Sequence, residues 1–235
     1  MIKIKIADFI IEIDNRYDFI ATLCKDYITD EGATDIFVSA VTDEELALED
    51  AQSEQKGLPC GYIESVCVYR KIALAVLERD AILIHSAVIE VDGMAYAFLA
   101  RSGTGKSTHI SLWKKALGDK VQIVNGDKPI YRYIDGAWYA YGTPWCGKEG
   151  WQRNTRARLK AFCYIERGAT NSIEKIAPSE SATRLMKQIL IPREMDKMAK
   201  TFEIADEILK NTPSWLLKCN ISTEAAIVAY EAMSR

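Results

Sequence analysis

Three polar groups at even spacing could act together on a phosphoryl group. Lys106 stands within RSGTGKST at 101–108, with His85 twenty-one residues before it and Asp127 twenty-one residues after it. Gly103, Gly105, Lys106, Ser107 and Thr108 form the core of a phosphate-binding loop of the Walker A type (P-loop). The apolar run MAYAFLA precedes it and a helical stretch follows, the context this motif requires. Residues without a bulky Cβ let the backbone curl so that successive N–H groups face one concavity suited to phosphate oxygens. The helix start adds unpaired N–H groups and the positive end of its dipole. Lys106 would reach the outer phosphates and Ser107 would offer its hydroxyl to Mg2+. The full pattern GxxxxGK[ST] has Gly where this chain has Ala100, so the first turn must form without glycine's freedom.

The neighbours decide what such a loop does. His85 lies in the apolar stretch LIHSAVIEV, read as a strand opening a hairpin. A histidine there is either a satisfied core residue or, beside the loop strand, a group that emerges near the phosphates with a pKa near neutrality. Asp127 follows the strand QIV. An acid at that strand end can hold Mg2+ opposite Ser107 or take a proton, and Asn125-Gly126-Asp127 is also good turn chemistry. Downstream, GTPWCGKEGWQRNTRAR at 142–158 carries Lys148, Glu149, Arg153 and Arg156. It reads either as a substrate or phosphate loop, its cations screening charge on a transferring phosphoryl, or as a solvated basic loop. Cys146 has nothing nearby to mark it as a nucleophile. His109 and Trp113 read as packing against the sheet, and Met195, Met198 and Phe202 as a core stripe at helical spacing.

The elements that must position these groups follow from periodicity. IKIKIADFIIEID begins with period-two alternation that puts Ile2, Ile4 and Ile6 on one sheet face, and 17–28 turns helical. IFVSAV at 36–41 reads as a strand and DEELALED as a helix or solvated loop. The loop QKGLPCGY at 55–62 is the best boundary signal, which gives a small α+β lobe over 1–58 and a catalytic domain over 59–235. A helix is expected over 63–79. Two hairpins turn at Asp92-Gly93 and Asp135-Gly136, so the sheet is mixed. The helix 106–117 is stopped by Gly118. LKAFCYIE reads as a strand, 179–190 as a helix closed by Pro192, MDKMAKTFEIADEIL as a helix, WLLKCN as a strand and TEAAIVAYEAM as a helix.

Composition narrows the class. The chain has 235 residues, 49% hydrophobic, enough to fill a core. Thirty basic residues against 33 acidic ones give no basic stripe, so no nucleic-acid partner is expected. No apolar run is long enough for a bilayer, so no membrane partner is expected either. Six cysteines without a CxxC pair, two histidines and no visible targeting segment read as reduced thiols in a cytoplasmic protein without a zinc site.

HSAVIEVDGMAYAFLARSGTGKSTH followed by VNGDKP resembles the catalytic core of the HPr serine kinase/phosphorylase family and its relative, ATP-dependent phosphoenolpyruvate carboxykinase. The resemblance covers about 70–165 and is closer to short stand-alone HPr-kinase-like proteins. It implies a mixed-sheet α/β P-loop kinase core, ATP and Mg2+, and phosphoryl-transfer roles for the residues at His85, Ser102 to Thr108 and Asp127. Similar kinases also carry a GTPW-GKEG stretch. The family usually has two adjacent acids, where this chain offers Gly126-Asp127 or Asp127-Lys128. If Asp127 holds the metal, His85 becomes the better candidate for general base; otherwise either can serve. The expected activity is transfer of the γ-phosphoryl of ATP, or a similar nucleotide, to a hydroxyl. The resemblance implies a serine of a protein or peptide as acceptor, with the reverse phosphorolysis also within the family's range. The alternatives are a small hydroxylated metabolite as acceptor, carboxykinase activity, and a nucleotide sensor without catalysis. Homo-oligomerisation is left open.

Overall fold

The computed structural model describes residues 1–53 and 55–235. The chain divides into two compact units, Met1–Arg79 and Asp80–Arg235.

In the first unit, β1 (Ile2–Ile6) and β2 (Phe9–Ile13) form an antiparallel hairpin, with β3 (Ile36–Val38) parallel to β2. IKIKIADFIIEID at 2–14, read as one segment, is two strands joined at Ala7-Asp8, a turn with no glycine to announce it. Both residues nevertheless take positive φ, 52° and 61°, as a two-residue hairpin turn requires. Ile4, Ile6, Ile11 and Ile13 are fully buried and Lys5 is exposed, the alternation a one-sided sheet demands. The helices are α1 (Phe19–Leu23), α2 (Asp43–Gln52) and α3 (Cys60–Ala75). Thr42 and Glu45 close a capping box on α2. On α3, the buried Glu64 carboxylate accepts from the N–H groups of Arg16 (2.5 Å) and Tyr17 (3.1 Å). These bonds tie α3 to the first unit, so the compact division falls after this helix and not in the loop before it.

The second unit runs through β4 (Ala81–Leu83), β5 (Ala87–Val91), β6 (Met94–Leu99), α4 (Lys106–Leu117), β7 (Gln122–Asn125), β8 (Ile130–Ile134), β9 (Ala137–Tyr141) and β10 (Arg156–Arg167). It closes with β11 (Ser172–Lys175), α5 (Pro178–Leu185), α6 (Met195–Asn211), β12 (Ser214–Cys219) and α7 (Thr223–Met233). Its sheet has the order β4-β8-β9-β10-β6-β5-β7, with β12 on the C-terminal half of β10 and β11 beyond it. β6 lies parallel to β10 and antiparallel to β5. Both Asp-Gly turns form as read, with φ of 51° and 78° at Asp92-Gly93 and 49° and 80° at Asp135-Gly136. α4 ends at Leu117, followed by Gly118 at φ 61°.

Side chains alternate across β6. Tyr96 and Phe98 join Trp113 of α4 and Ala226 and Ala229 of α7 in one buried cluster. Trp113 is fully buried, its ring centroid 5.4 Å from Phe98 and 5.5 Å from Tyr96, and its Nε1–H donates to His109 Nε2 at 2.9 Å. His109 and Trp113 therefore pack against the sheet, as their spacing predicts.

Three readings need correction. LIHSAVIEV is not one strand: β4 ends at Leu83, β5 begins at Ala87, and His85 sits in the break, its N–H donating to Gln188 O at 2.7 Å. That bond and the Ile84–Ile189 bridge draw the chain out of α5 at Leu185, so this helix stops short of 190. The stripe Met195, Met198, Phe202 is not core. Met195 and Phe202 are exposed, and α6 buries Thr201, Ile204, Ala205, Ile208 and Leu209 instead, because that stripe is the one turned toward α5 and β4.

Replacing Trp113 by Ala is expected to cost about 3–5 kcal/mol through the cavity it leaves and the lost indole hydrogen bond. Urea unfolding of the variant against the parent measures this.

Candidate active site

The loop after β6 is built as a cradle. Gly103 and Gly105 take φ of 77° and 123°, and a Cβ added to Gly103 would meet only open space. Ala100 is absent from the positive-φ positions and is 7% exposed, so an ordinary L-residue suffices where the full motif has glycine. No side chain caps the start of α4, which leaves the first-turn amides of Lys106, Ser107 and Thr108 as donors to whatever fills the cradle. Arg167, at the end of β10, donates to Gly103 O (2.9 Å) and Thr104 O (3.4 Å) and so takes up two loop carbonyls.

The pairing of β5 with both β6 and β7 brings the three spaced groups together. Lys106 Nζ lies 3.1 Å from Ala100 O and 3.1 Å from His85 Nε2, and the same Nε2 lies 2.9 Å from Asp127 Oδ1. Ser86 N–H donates to Asp127 O at 3.0 Å, which locks the two strand ends together. One ring nitrogen holds one proton or one lone pair. His85 Nε2 therefore accepts from Lys106 or donates to Asp127, never both at once.

Burial pulls the Lys106 pKa down, and the opposing charge of Asp127 does not restore it. For Asp127, burial alone would raise the pKa. The hydrogen bond from His85 and the cations Lys128 and Lys106 outweigh it and hold the carboxyl below its ordinary value.

Asn125 positions Asp127. It is fully buried, and its Oδ1 accepts from the N–H groups of Asp127 (2.9 Å) and Lys128 (2.7 Å), while its Nδ2 donates to Thr143 O (2.8 Å). Its role was visible in sequence only as turn chemistry. Gly126 has a steric reason: a Cβ there would lie 2.6 Å from Cys146 O and 3.3 Å from Trp151 Cβ, so the position beside Asp127 admits no second acid. A carboxylate arrives from elsewhere. A Cβ built on Gly147 would sit 3.8 Å from Asp127 Cγ and 3.5 Å from Glu149 Oε2, which places Glu149 and Asp127 around the same point.

The rest of the 142–158 segment does not converge. Lys148 is exposed. Arg153 donates to Gln122 Oε1 at 2.9 Å, at the far end of β7 from Asp127. Arg156 donates to Tyr141 OH at 2.9 Å and covers the Tyr139 ring at 5.0 Å. Tyr164 of β10 pairs with Leu99 at the loop, so Arg156, eight positions earlier, stands roughly 26 Å away along the strand. Burial raises the pKa of the Cys146 thiol, which keeps it in the unreactive form, and all six cysteines are free.

Among the described residues no group of three or more His, Cys, Asp or Glu side chains could hold a metal by itself. Mg2+ is commonly held by one or two carboxylates together with substrate phosphates. Ser107, opening α4, and Asp127 remain the side chains that would hold it, with Glu149 close by. A cavity of about 1050 Å³ adjoins the loop, with His85, Arg101, Ser102, Arg184 and Lys187 in its wall.

No protein-family model and no curated protein matches the chain. Among solved structures, the Hpr(Ser) kinase/phosphatase from Coxiella burnetii is similar over 64% of this chain and 95% of that one, at 8% identity and a TM-score of 0.37, a distant structural relationship. No helix among the described residues is long and apolar enough to cross a membrane.

A carboxyl whose pKa is depressed on folding adds stability above its unfolded value, about 4, and loses it as pH falls through the folded value. The stability difference between the parent and Asp127→Asn is therefore expected to be present at pH 6 and to shrink steadily below about pH 4. Denaturant titrations across that range measure it, and a constant difference would remove the charge from the account.

Proposed function

We propose that this chain is a Mg2+-dependent phosphotransferase that moves the γ-phosphoryl of ATP, or a similar nucleoside triphosphate, to a hydroxyl group. The observation that carries the reading is the meeting of Lys106, His85 and Asp127 at one ring nitrogen beside an uncapped, glycine-shaped helix start. Loop amides and Lys106 bind the phosphates. Lys106 divides its donors between Ala100 O and His85 Nε2. Exchanging the second contact for a phosphate oxygen satisfies the ammonium and leaves Nε2 to the acid. The proton of an acceptor hydroxyl can then pass to the Asp127 carboxylate when Nε2 carries a proton and donates to it, or to His85 Nε2 when that nitrogen is unprotonated, with Asn125 and Ser86 fixing the position of the acid. Mg2+, when bound, supplies neutralisation of the charge between the outer phosphates. Positioning and charge neutralisation do most of the work, because a loose phosphoryl transition state asks for little covalent chemistry. The acceptor we favour is a serine of a protein or peptide; a small hydroxylated metabolite would use the same groups.

A second reading is favoured by one observation. The close approach of Cys146 O excludes an acid at Gly126, so the strand end offers a single carboxylate, which cannot hold a metal and take a proton at once. On that reading the chain binds ATP and transfers nothing.

With labelled Mg-ATP and candidate acceptors, the phosphotransferase reading expects transfer or slow hydrolysis, whereas tight binding without either selects the sensor. Lys106→Ala is expected to weaken nucleotide binding about 10- to 100-fold, the worth of a charged hydrogen bond to phosphate. Asp127→Asn is expected to lower turnover about 10²- to 10⁴-fold with affinity changed only a few-fold. Turnover that survives Asp127→Asn removes this residue from the chemistry.

A further inference from the structure

The second unit has a smaller cavity, of about 360 Å³, beyond the other end of the loop. Gly103, Thr104 and Arg167 border both cavities, so the loop forms the ridge between them. The larger cavity holds His85, and with it the reacting end. The smaller is bordered by Gly105 and Thr108, and none of Lys106, His85 and Asp127 lines it.

Its walls define what would fit. Leu112, Ile165 and Cys219 supply buried apolar surface, and Ile221 stands on the rim 81% exposed, an apolar side chain with little of its own to cover it. His109 also lines it and is 2% exposed. Its Nε2 accepts from Trp113, and burial lowers its pKa to about 4, so the ring is neutral with its proton on Nδ1. That N–H has no acceptor among the described residues. A buried donor without a partner is costly, and a bound group carrying an acceptor would relieve the cost.

We propose that this cavity receives the nucleoside of the nucleotide, its heteroaromatic base against Leu112, Ile165 and Ile221 and a ring nitrogen or ribose oxygen accepting from His109. The inference rests on the phosphotransferase reading, which fixes the direction of the phosphate chain. Lys106, His85 and Asp127 mark the terminal phosphate, so the opposite end leads past Thr108 into this slot. A planar base with apolar faces and polar edges suits such a site. The larger cavity suits it poorly, since its wall carries the charged side chains Arg101, Glu166, Arg184 and Lys187 and the acceptor must enter beside His85.

The test is calorimetric titration of the full chain, in Mg2+, with ADP and separately with pyrophosphate. ADP is expected to bind about tenfold or more tightly than pyrophosphate, the difference being the buried nucleoside. Leu112→Trp, which fills the slot, should bring ADP down to the pyrophosphate value while leaving pyrophosphate unchanged. Ile221→Ser should weaken ADP about three- to tenfold and spare pyrophosphate. Because Ile221 is exposed, that variant decides the matter even if Leu112→Trp does not fold. Equal binding of ADP and pyrophosphate, or an ADP affinity indifferent to Ile221→Ser, overturns the inference and leaves the phosphate site standing. Binding of neither ligand by the parent overturns the phosphotransferase reading and the inference with it.

Discussion

A nearly buried ammonium sets the terms for the site. Lys106 is 8% exposed, and its nearest partners are a carbonyl oxygen and an imidazole nitrogen, not an acid. Asp127 stands one atom further on, held by the same nitrogen. A cation removed from water with incomplete compensation is costly, and the cost shows in its depressed pKa. An anion entering the cradle relieves it.

The scaffold around this charge is stiff for identifiable reasons. β5 is hydrogen-bonded on both edges, to β6 and to β7, so the break that carries His85 and the turn that carries Asp127 cannot drift apart without unzipping β7 from β5. Asn125 is the hinge pin of that turn, with bonds to backbone on either side. The 142–155 segment is sewn to β7 by Gly126 N–H to Trp151 O at 2.8 Å and Arg153 N–H to Val124 O at 3.2 Å. This close seam is what makes glycine necessary at 126, and it carries Glu149 to the acid side. Negative charge at the site therefore comes from two separate segments.

Cations are distributed unevenly along the loop. Arg167 is committed to loop carbonyls, while Arg184 is paired with Glu166 and Glu180 in the wall of the larger cavity. Arg153 and Arg156, which the 142–158 stretch offers either to a phosphoryl group or to solvent, contact Gln122 at a strand edge and the rings of Tyr139 and Tyr141. Charge in a sequence says that a loop is polar; register says where the charge goes.

What the sequence determined by itself was whatever a few adjacent residues encode. The glycines at 103 and 105, the two Asp-Gly turns and the span of α4 with its glycine stop are local φ requirements, and the structure has them at the positions the sequence predicts. The even spacing of His85, Lys106 and Asp127 pointed to a meeting that strand pairing then produced. Only tertiary structure decided that His85 sits in a strand break, that Glu149 and not residue 126 accompanies Asp127, and which face of α6 is buried. Each of those depends on contacts between segments far apart in the chain, where pairing register and close packing choose among faces that local propensity leaves equal.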